Sequence, residues 1–156
     1  MSQKFFQDLW PEELSYCFGC GRNNKDGLQI KSYWEGDESL CIWTPKEYLK
    51  AGKDILCGGI VATIIDCHCL NTAIAVAYKR ETRELGTEPF IPYATGSLRM
   101  ELKKPIPIQK PIILKAKVDQ IQDKKIIVSC LLFSDNILCA KGEIIALRVS
   151  KDFWKQ

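Results

Sequence analysis

Charge of one sign is what this sequence most plainly lacks: 22 lysines and arginines stand against 19 aspartates and glutamates, leaving a net charge of +3. Nucleic-acid binders concentrate basic residues on one face, and an excess this small excludes that class. It suits an anionic small ligand held by a few local lysines. No secretory leader is expected either, since Met1-Ser2-Gln3-Lys4-Phe5-Phe6-Gln7-Asp8 holds no apolar run of the required length. Nor is there an unbroken apolar span. The most apolar stretch, residues 55–77, is interrupted by Asp66, His68, Asn71 and several small residues, which reads as the buried helix of a soluble protein and not as a membrane crossing. Internal repeats and low-complexity tracts are absent. A cytoplasmic chain without nucleic-acid or membrane partners is the expectation.

Cysteine, by contrast, is plentiful: Cys17, Cys20, Cys41, Cys57, Cys67, Cys69, Cys130 and Cys139. A disulfide framework belongs to small secreted scaffolds with poor cores. Here 46% of 156 residues are hydrophobic, enough for one domain with its own core. Cys41, Cys130 and Cys139 sit among strand-like apolar residues, where a free thiol behaves as a small hydrophobe. Reduced cysteines are expected. Cys17-x-x-Cys20 with Cys67-His68-Cys69 offers zinc-type ligands, but Cys67 and Cys69 flank one helical residue and diverge in direction. No second Cys-x-x-Cys follows. Cys17 and Cys20 are therefore read as turn residues, with no metal and no cofactor.

Patterning divides the chain into an irregular segment, 1–27, and a folded domain, 28–150. Phe5, Phe6, Leu9 and Trp10 suggest one anchoring turn in the first segment. A strand over 28–34 and a hairpin partner over 39–44 flank Gly36-Asp37. A polar loop, 45–54, precedes one long helix, 58–79, that is apolar all round and must be wrapped by the rest of the protein. After a charged loop, 80–92, come four strands: 94–103, 112–121, 125–133 and 137–149. Leu98, Met100 and Leu102 alternate in the first, Ile112, Leu114, Ala116 and Val118 in the second, and Ile145, Leu147 and Val149 in the last. The elements make an α+β domain, one antiparallel β-sheet curled around one long central helix. One sheet cannot cover such a helix entirely, so part of its surface is expected to meet another subunit.

Asp66 is the chemical outlier, a carboxylate midway along that helix among Ile64, Ile65 and Leu70. An unpaired charge there is costly, so Asp66 must find hydrogen bonds, a partner or a cavity. Such placement either tunes a general base or caps a loop. Gly58-Gly59 at the helix start lets a ligand approach free N–H groups that favour negative charge. It also serves as a tight turn. His68, the only histidine, lies about 200° around the helix from Asp66, and packing or hydrogen bonding suits it better than catalysis.

Cys57-Gly58-Gly59-Ile60-Val61-Ala62-Thr63-Ile64-Ile65-Asp66 resembles the His-Gly-Gly-x-x-Ala-Thr-x-x-Asp signature of PaaI-like hotdog-fold acyl-CoA thioesterases. The run from Thr95 to Pro107 resembles the strand and proline corner that follow the helix in that family. Cys17-Phe18-Gly19-Cys20-Gly21 with Gly27-Leu28 is similar to the amino-terminal entry of many members. The resemblance implies a hotdog fold and hydrolysis of an acyl-coenzyme A thioester by a homodimer or dimer of dimers. It makes Asp66 the catalytic carboxylate that activates water or attacks the carbonyl, and Gly59 the backbone N–H that polarises that carbonyl. Thr95 helps hold the water, usually across the dimer interface. Cys57 and Gly58 contact substrate, and Lys103 and Lys104 lie toward the phosphates of coenzyme A. The acyl chain would run beside the helix, in a pocket shaped by loop 80–93. Cys57 stands where the family usually has histidine. That departure motivates an alternative, a non-hydrolytic acyl-CoA or lipid-binding protein. A hotdog dehydratase ranks last, because it wants a histidine near the helix start.

Overall fold

A computed structural model describes residues 2–155. Eight strands and one α-helix run in the order β1 (Tyr33–Glu35), β2 (Glu38–Trp43), β3 (Lys50–Gly52), β4 (Ile55–Leu56), α1 (Gly58–Arg80), β5 (Tyr93–Leu102), β6 (Ile112–Ile121), β7 (Lys125–Ser134) and β8 (Ile137–Arg148). Six of the strands form one antiparallel sheet in the order β1-β2-β6-β7-β8-β5. β3 and β4 make a small separate ribbon before the helix.

The sheet closes on α1 through alternating inward positions. Ile112, Leu114 and Ala116 of β6 and Ile126, Val128, Cys130 and Leu132 of β7 are all buried, the period of two that a half-covered strand requires. In β8 the inward set is Ala140, Gly142, Ile144 and Ala146. The bulkier alternation of Ile145 and Leu147 faces outward, contrary to the sequence expectation. The helix supplies the reason: a Cβ on Gly142 would stand 2.4 Å from Ile65 Cγ2. Small side chains in β8 let α1 approach, and bulky ones there would push it off the sheet.

Leu98, Met100 and Leu102 of β5 share the inward parity, pairing with Ile144, Gly142 and Ala140. Nevertheless Leu98 and Leu102 remain 40% and 54% exposed, so the half-buried pattern expected for this strand is not reached within one chain. β5 is the sheet edge, and these side chains overhang the start of α1, where a Cβ on Gly58 would lie 3.4 Å from Leu102 Cδ1.

The expected strand over 28–34 is shortened to Tyr33–Glu35. Gln29 has φ 58°, a left-handed conformation no strand accommodates. Leu28 and Ile30 are buried instead by pairing with the amino-terminal loop, Leu28 N–H to Phe18 O at 2.8 Å and Ile30 N–H to Gly19 O at 3.2 Å. That loop is part of the core. Phe6 and Trp10 are buried, Trp10 stacks on Tyr78 at 6.1 Å between centroids, and its indole N–H donates to Asn71 Oδ1. α1 passes for a membrane-length apolar helix by composition, but most of that apolar window is buried within the fold.

Candidate functional site

Asp66 and Thr95 meet. Thr95 Oγ1 donates to Asp66 Oδ1 at 2.6 Å, within one chain. The resemblance implied a threonine working across a dimer interface, whereas the folded chain gives Asp66 its own. A β-bulge makes the contact possible. The register of β5 on β8 slips between Thr95 and Ser97, so Tyr93, Thr95 and Leu98 all point inward, although a regular strand would send Thr95 and Leu98 to opposite faces. Burial raises the Asp66 pKa above the ordinary aspartate value, the Thr95 hydrogen bond opposes that rise, and negative charge on Cys17 adds to it. A carboxylate so held is poised to accept a proton from water.

Beside this pair lies a cavity of about 570 Å³, bounded by Trp10, Leu70, Ile74, Tyr93, Phe153 and Trp154. Its size and largely apolar walls suit a small-molecule ligand oriented by few polar groups. A second cleft of about 540 Å³, beside Trp34 and Lys79, holds no comparable carboxylate–hydroxyl pair. Loop 80–93, expected to shape the pocket, contributes Tyr93 to its wall and otherwise acts one layer back: Phe90 packs edge-on against Trp10 at 5.8 Å. The amino-terminal segment and the Phe153–Lys155 turn build the rest of that wall. Neither contribution was foreseen from the sequence. Trp10 and Trp154, apolar bulk placed outside every regular element, were the available signal.

The other half of the predicted set gathers at the start of α1. Cys57 is its N-cap residue and makes no side-chain cap. Its carbonyl accepts from Ile60 and Val61 N–H at 3.0 and 3.1 Å. Among the described residues, no protein acceptor takes the N–H of Gly58 or Gly59, and such free donors at a helix N-terminus attract negative charge. Gly59 is exposed. Lys103 and Lys104 lie at this same end, where with Leu56, Val61 and Leu102 they border a hollow of about 290 Å³. Both lysine backbone N–H groups donate to Cys139 O, at 2.8 and 3.1 Å, and Lys103 Nζ pairs with Glu101 at 3.2 Å.

Gly59 and Asp66 share a helix face but stand two turns apart, roughly 10 Å along the axis at the standard rise. One thioester carbonyl cannot touch both in the same chain. The helix start and the Asp66–Thr95 pair therefore stand as two separate halves of the site that the resemblance implies.

His68 belongs to neither half. It is fully buried, with Nδ1 2.8 Å from Ser32 Oγ and Nε2 3.2 Å from the Ser39 carbonyl. The carbonyl can only accept, so Nε2 carries the proton and Nδ1 accepts from Ser32. Gln7 bonds Ser32 in turn, and Ser39 joins Thr72 at 2.6 Å. Burial lowers the His68 pKa to about 4. A neutral histidine tied at both nitrogens fixes structure.

The cysteines gave a surprise. Cys69 does diverge from Cys67, as its helical position requires, and packs into the core. Cys17 and Cys20, weighed as zinc-type ligands and read as turn residues instead, converge with Cys67 so that the three Sγ atoms lie within 4.8 Å of one another. Thiol hydrogen bonds from Cys20 and then Cys67 favour the thiolate on Cys17 and push the other two thiols up.

No family model matches the chain. It is 27% identical over 108 residues to the acyl-coenzyme A thioesterase THEM4 of Xenopus laevis, covering 69% of this chain and 43% of that protein. The chain thus spans less than half the length of the curated relatives it matches. Among solved structures, a thioesterase superfamily protein from Shewanella loihica superposes with a TM-score of 0.62 at 25% identity, covering 78% of this chain and 91% of that one. The PaaI protein of the Escherichia coli phenylacetic acid degradation operon superposes at 0.64 with 10% identity, covering 79% and 81%. The chain thus has the hotdog fold of these thioesterase superfamily structures and is similar in sequence to acyl-coenzyme A thioesterases.

Proposed function

We propose that this protein hydrolyses acyl-coenzyme A thioesters, with Asp66 as general base and a second copy of the chain completing each site. The observation that carries the reading is the Asp66–Thr95 hydrogen bond on the wall of an apolar cavity. Asp66 takes a proton from water, and the resulting hydroxide attacks the thioester carbonyl. The oxyanion forms against the Gly59 N–H at the start of the partner copy's helix, where a pre-aimed donor is worth most. Collapse breaks the C–S bond, and the departing coenzyme A thiolate takes up the proton. The acyl chain occupies the cavity beside Leu70 and Ile74. Gly58 and Cys57 flank the carbonyl, and Lys103 and Lys104 face the phosphates.

Three things support assembly into a dimer: the separation of the half-sites, the unpaired edge of β5, and the exposure of Leu98 and Leu102 on that edge. An exposed apolar edge strand is a template for pairing with another strand. The similarity to acyl-coenzyme A thioesterase THEM4 supports the substrate class.

Cys57, in place of the family's histidine, favours one rival: a protein that binds acyl-CoA or lipid without turnover. Chromatographic release of free coenzyme A from a panel of acyl-CoAs separates the two. The wild type is expected to turn over, and Asp66→Asn to lose at least about a hundredfold in rate. An unchanged Asp66→Asn rate would sink the mechanism. Saturable binding without turnover in the wild type would favour the rival.

A further inference from the structure

The Cys-Phe-Gly-Cys-Gly turn is built onto the helix more closely than a turn alone requires. A Cβ on Gly19 would lie 2.3 Å from Cys67 Sγ and 2.9 Å from Thr63 Cγ2, and a Cβ on Gly21 would lie 2.3 Å from Cys17 N. Gly19 therefore lets the turn press against α1, and Gly21 lets the turn close on its own backbone. The result is three sulfurs from two distant parts of the chain, within 4.8 Å of one another, with Cys17 and Cys67 Sγ 3.7 Å apart. Thiolates bound to one tetrahedral zinc at about 2.3 Å stand about 3.8 Å apart. The sulfurs are also supported from behind. Gly19 N–H donates to Cys17 Sγ at 3.4 Å, and Asn71 Nδ2 donates to Cys20 Sγ at 3.4 Å while its Oδ1 is fixed by Trp10. Outer hydrogen bonds of this kind orient thiolate ligands and favour their charged form. Three sulfurs can form at most one disulfide among themselves, which leaves a third thiol unpaired, whereas one ion takes all three.

We propose that Cys17, Cys20 and Cys67 form a three-thiolate site for one zinc-class ion, whose fourth position opens to the cavity that Asp66 also faces. Soft thiolates select zinc over hard cations such as magnesium. Binding exchanges three S–H bonds for three metal–sulfur bonds and releases the three protons to solvent, with no electron transferred. Cys17 is exposed, which gives the ion its way in. The ion ties residues 17–20 to α1 one residue beyond Asp66, and so fixes the wall of the cavity from outside the reacting carbonyl. This site is independent of the hydrolytic reading, since its test reads metal and not turnover.

The test uses the full chain reduced with a phosphine, which does not ligate zinc strongly. Zinc(II) is titrated in competition with a chromophoric chelator, and cobalt(II) is added in parallel as a spectroscopic probe. One ion per chain is expected, with a thiolate-to-cobalt charge-transfer band and tetrahedral d–d bands. Cys17→Ser, at an exposed position that folding tolerates, is expected to weaken zinc at least about tenfold and to diminish the charge-transfer band. Cys139→Ala, in β8, is expected to change neither. Failure of the reduced wild type to compete for zinc overturns the proposal. So does a Cys17→Ser protein of native circular dichroism that binds as the wild type does.

Discussion

His68 and Asp66 are two residues apart on one helix, and their surroundings push them toward neutrality for different ends. His68 is buried neutral, with its pKa lowered to about 4. An unfolded chain protonates its histidine near 6.5. Between those values the unfolded state binds the proton and the native state does not, so acidification from pH 6.5 to 4 draws the equilibrium toward unfolding. The stabilisation is complete above pH 6.5 and amounts to roughly 3 kcal/mol at full burial. Urea midpoints at pH 7.5 and pH 5 should fall in the wild type, and His68→Gln, less stable throughout, should show a shallower fall. Asp66 is only partly buried, and under the proposed mechanism its raised pKa tunes the base. The acid limb of the kcat/KM profile should report it above the ordinary aspartate value. Thr95→Ala removes the hydrogen bond that favours the carboxylate, so the limb should move to still higher pH. A limb that moves down, or stays put, would mean that Thr95 does not act on Asp66.

At the scale of elements, the close contact of α1 with β8 is the feature on which the fold most depends. Gly142→Ala places a methyl 2.4 Å from Ile65 Cγ2, and overpacking of that kind costs about 1–3 kcal/mol. Ile65→Ala should offset part of that cost, so the double variant should lose less than the two single losses combined; chemical denaturation of all four proteins measures it. This contact also marks the limit of what the sequence discloses. The helix was legible because a long stretch apolar on every side, broken only by single polar residues, has few other fates, and β6 because its alternation is clean. β8 misled, since alternation at Ile145 and Leu147 gives the period but not which face the helix claims. β5 gave the inward set correctly at Leu98, Met100 and Leu102. The bulge that turns Thr95 to the same side has no local signature beyond Gly96. Asp66, Gly58 and Gly59 were legible as anomalies, a charge and two glycines where an apolar helix wants neither. The convergence of Cys17, Cys20 and Cys67 was not, because it depends on how the amino-terminal loop lies across the helix.

On the scale of the whole molecule, the proposed sharing of two half-sites between copies sets the test for assembly. Asp66 with Thr95 sits on the cavity wall, and the free N–H groups of Gly58 and Gly59 lie roughly 10 Å away along the helix. If a two-fold dimer brings one helix start to the other chain's Asp66, every site takes one half from each chain. Asp66→Asn then disables one half. Gly59→Val disables the other: its Cβ meets nothing closer than Cys57 Sγ at 3.8 Å, so the chain folds, but the side chain fills the space the carbonyl must enter. Each variant alone should be inactive. In a mixed dimer one site carries both lesions, and the other combines an intact Gly59 with an intact Asp66. Random pairing makes half the dimers mixed, so unfolding and refolding the two variants together should restore about a quarter of wild-type turnover. A site contained within one chain predicts no recovery at any mixing ratio, and size-exclusion chromatography of the same mixture shows whether the dimer formed.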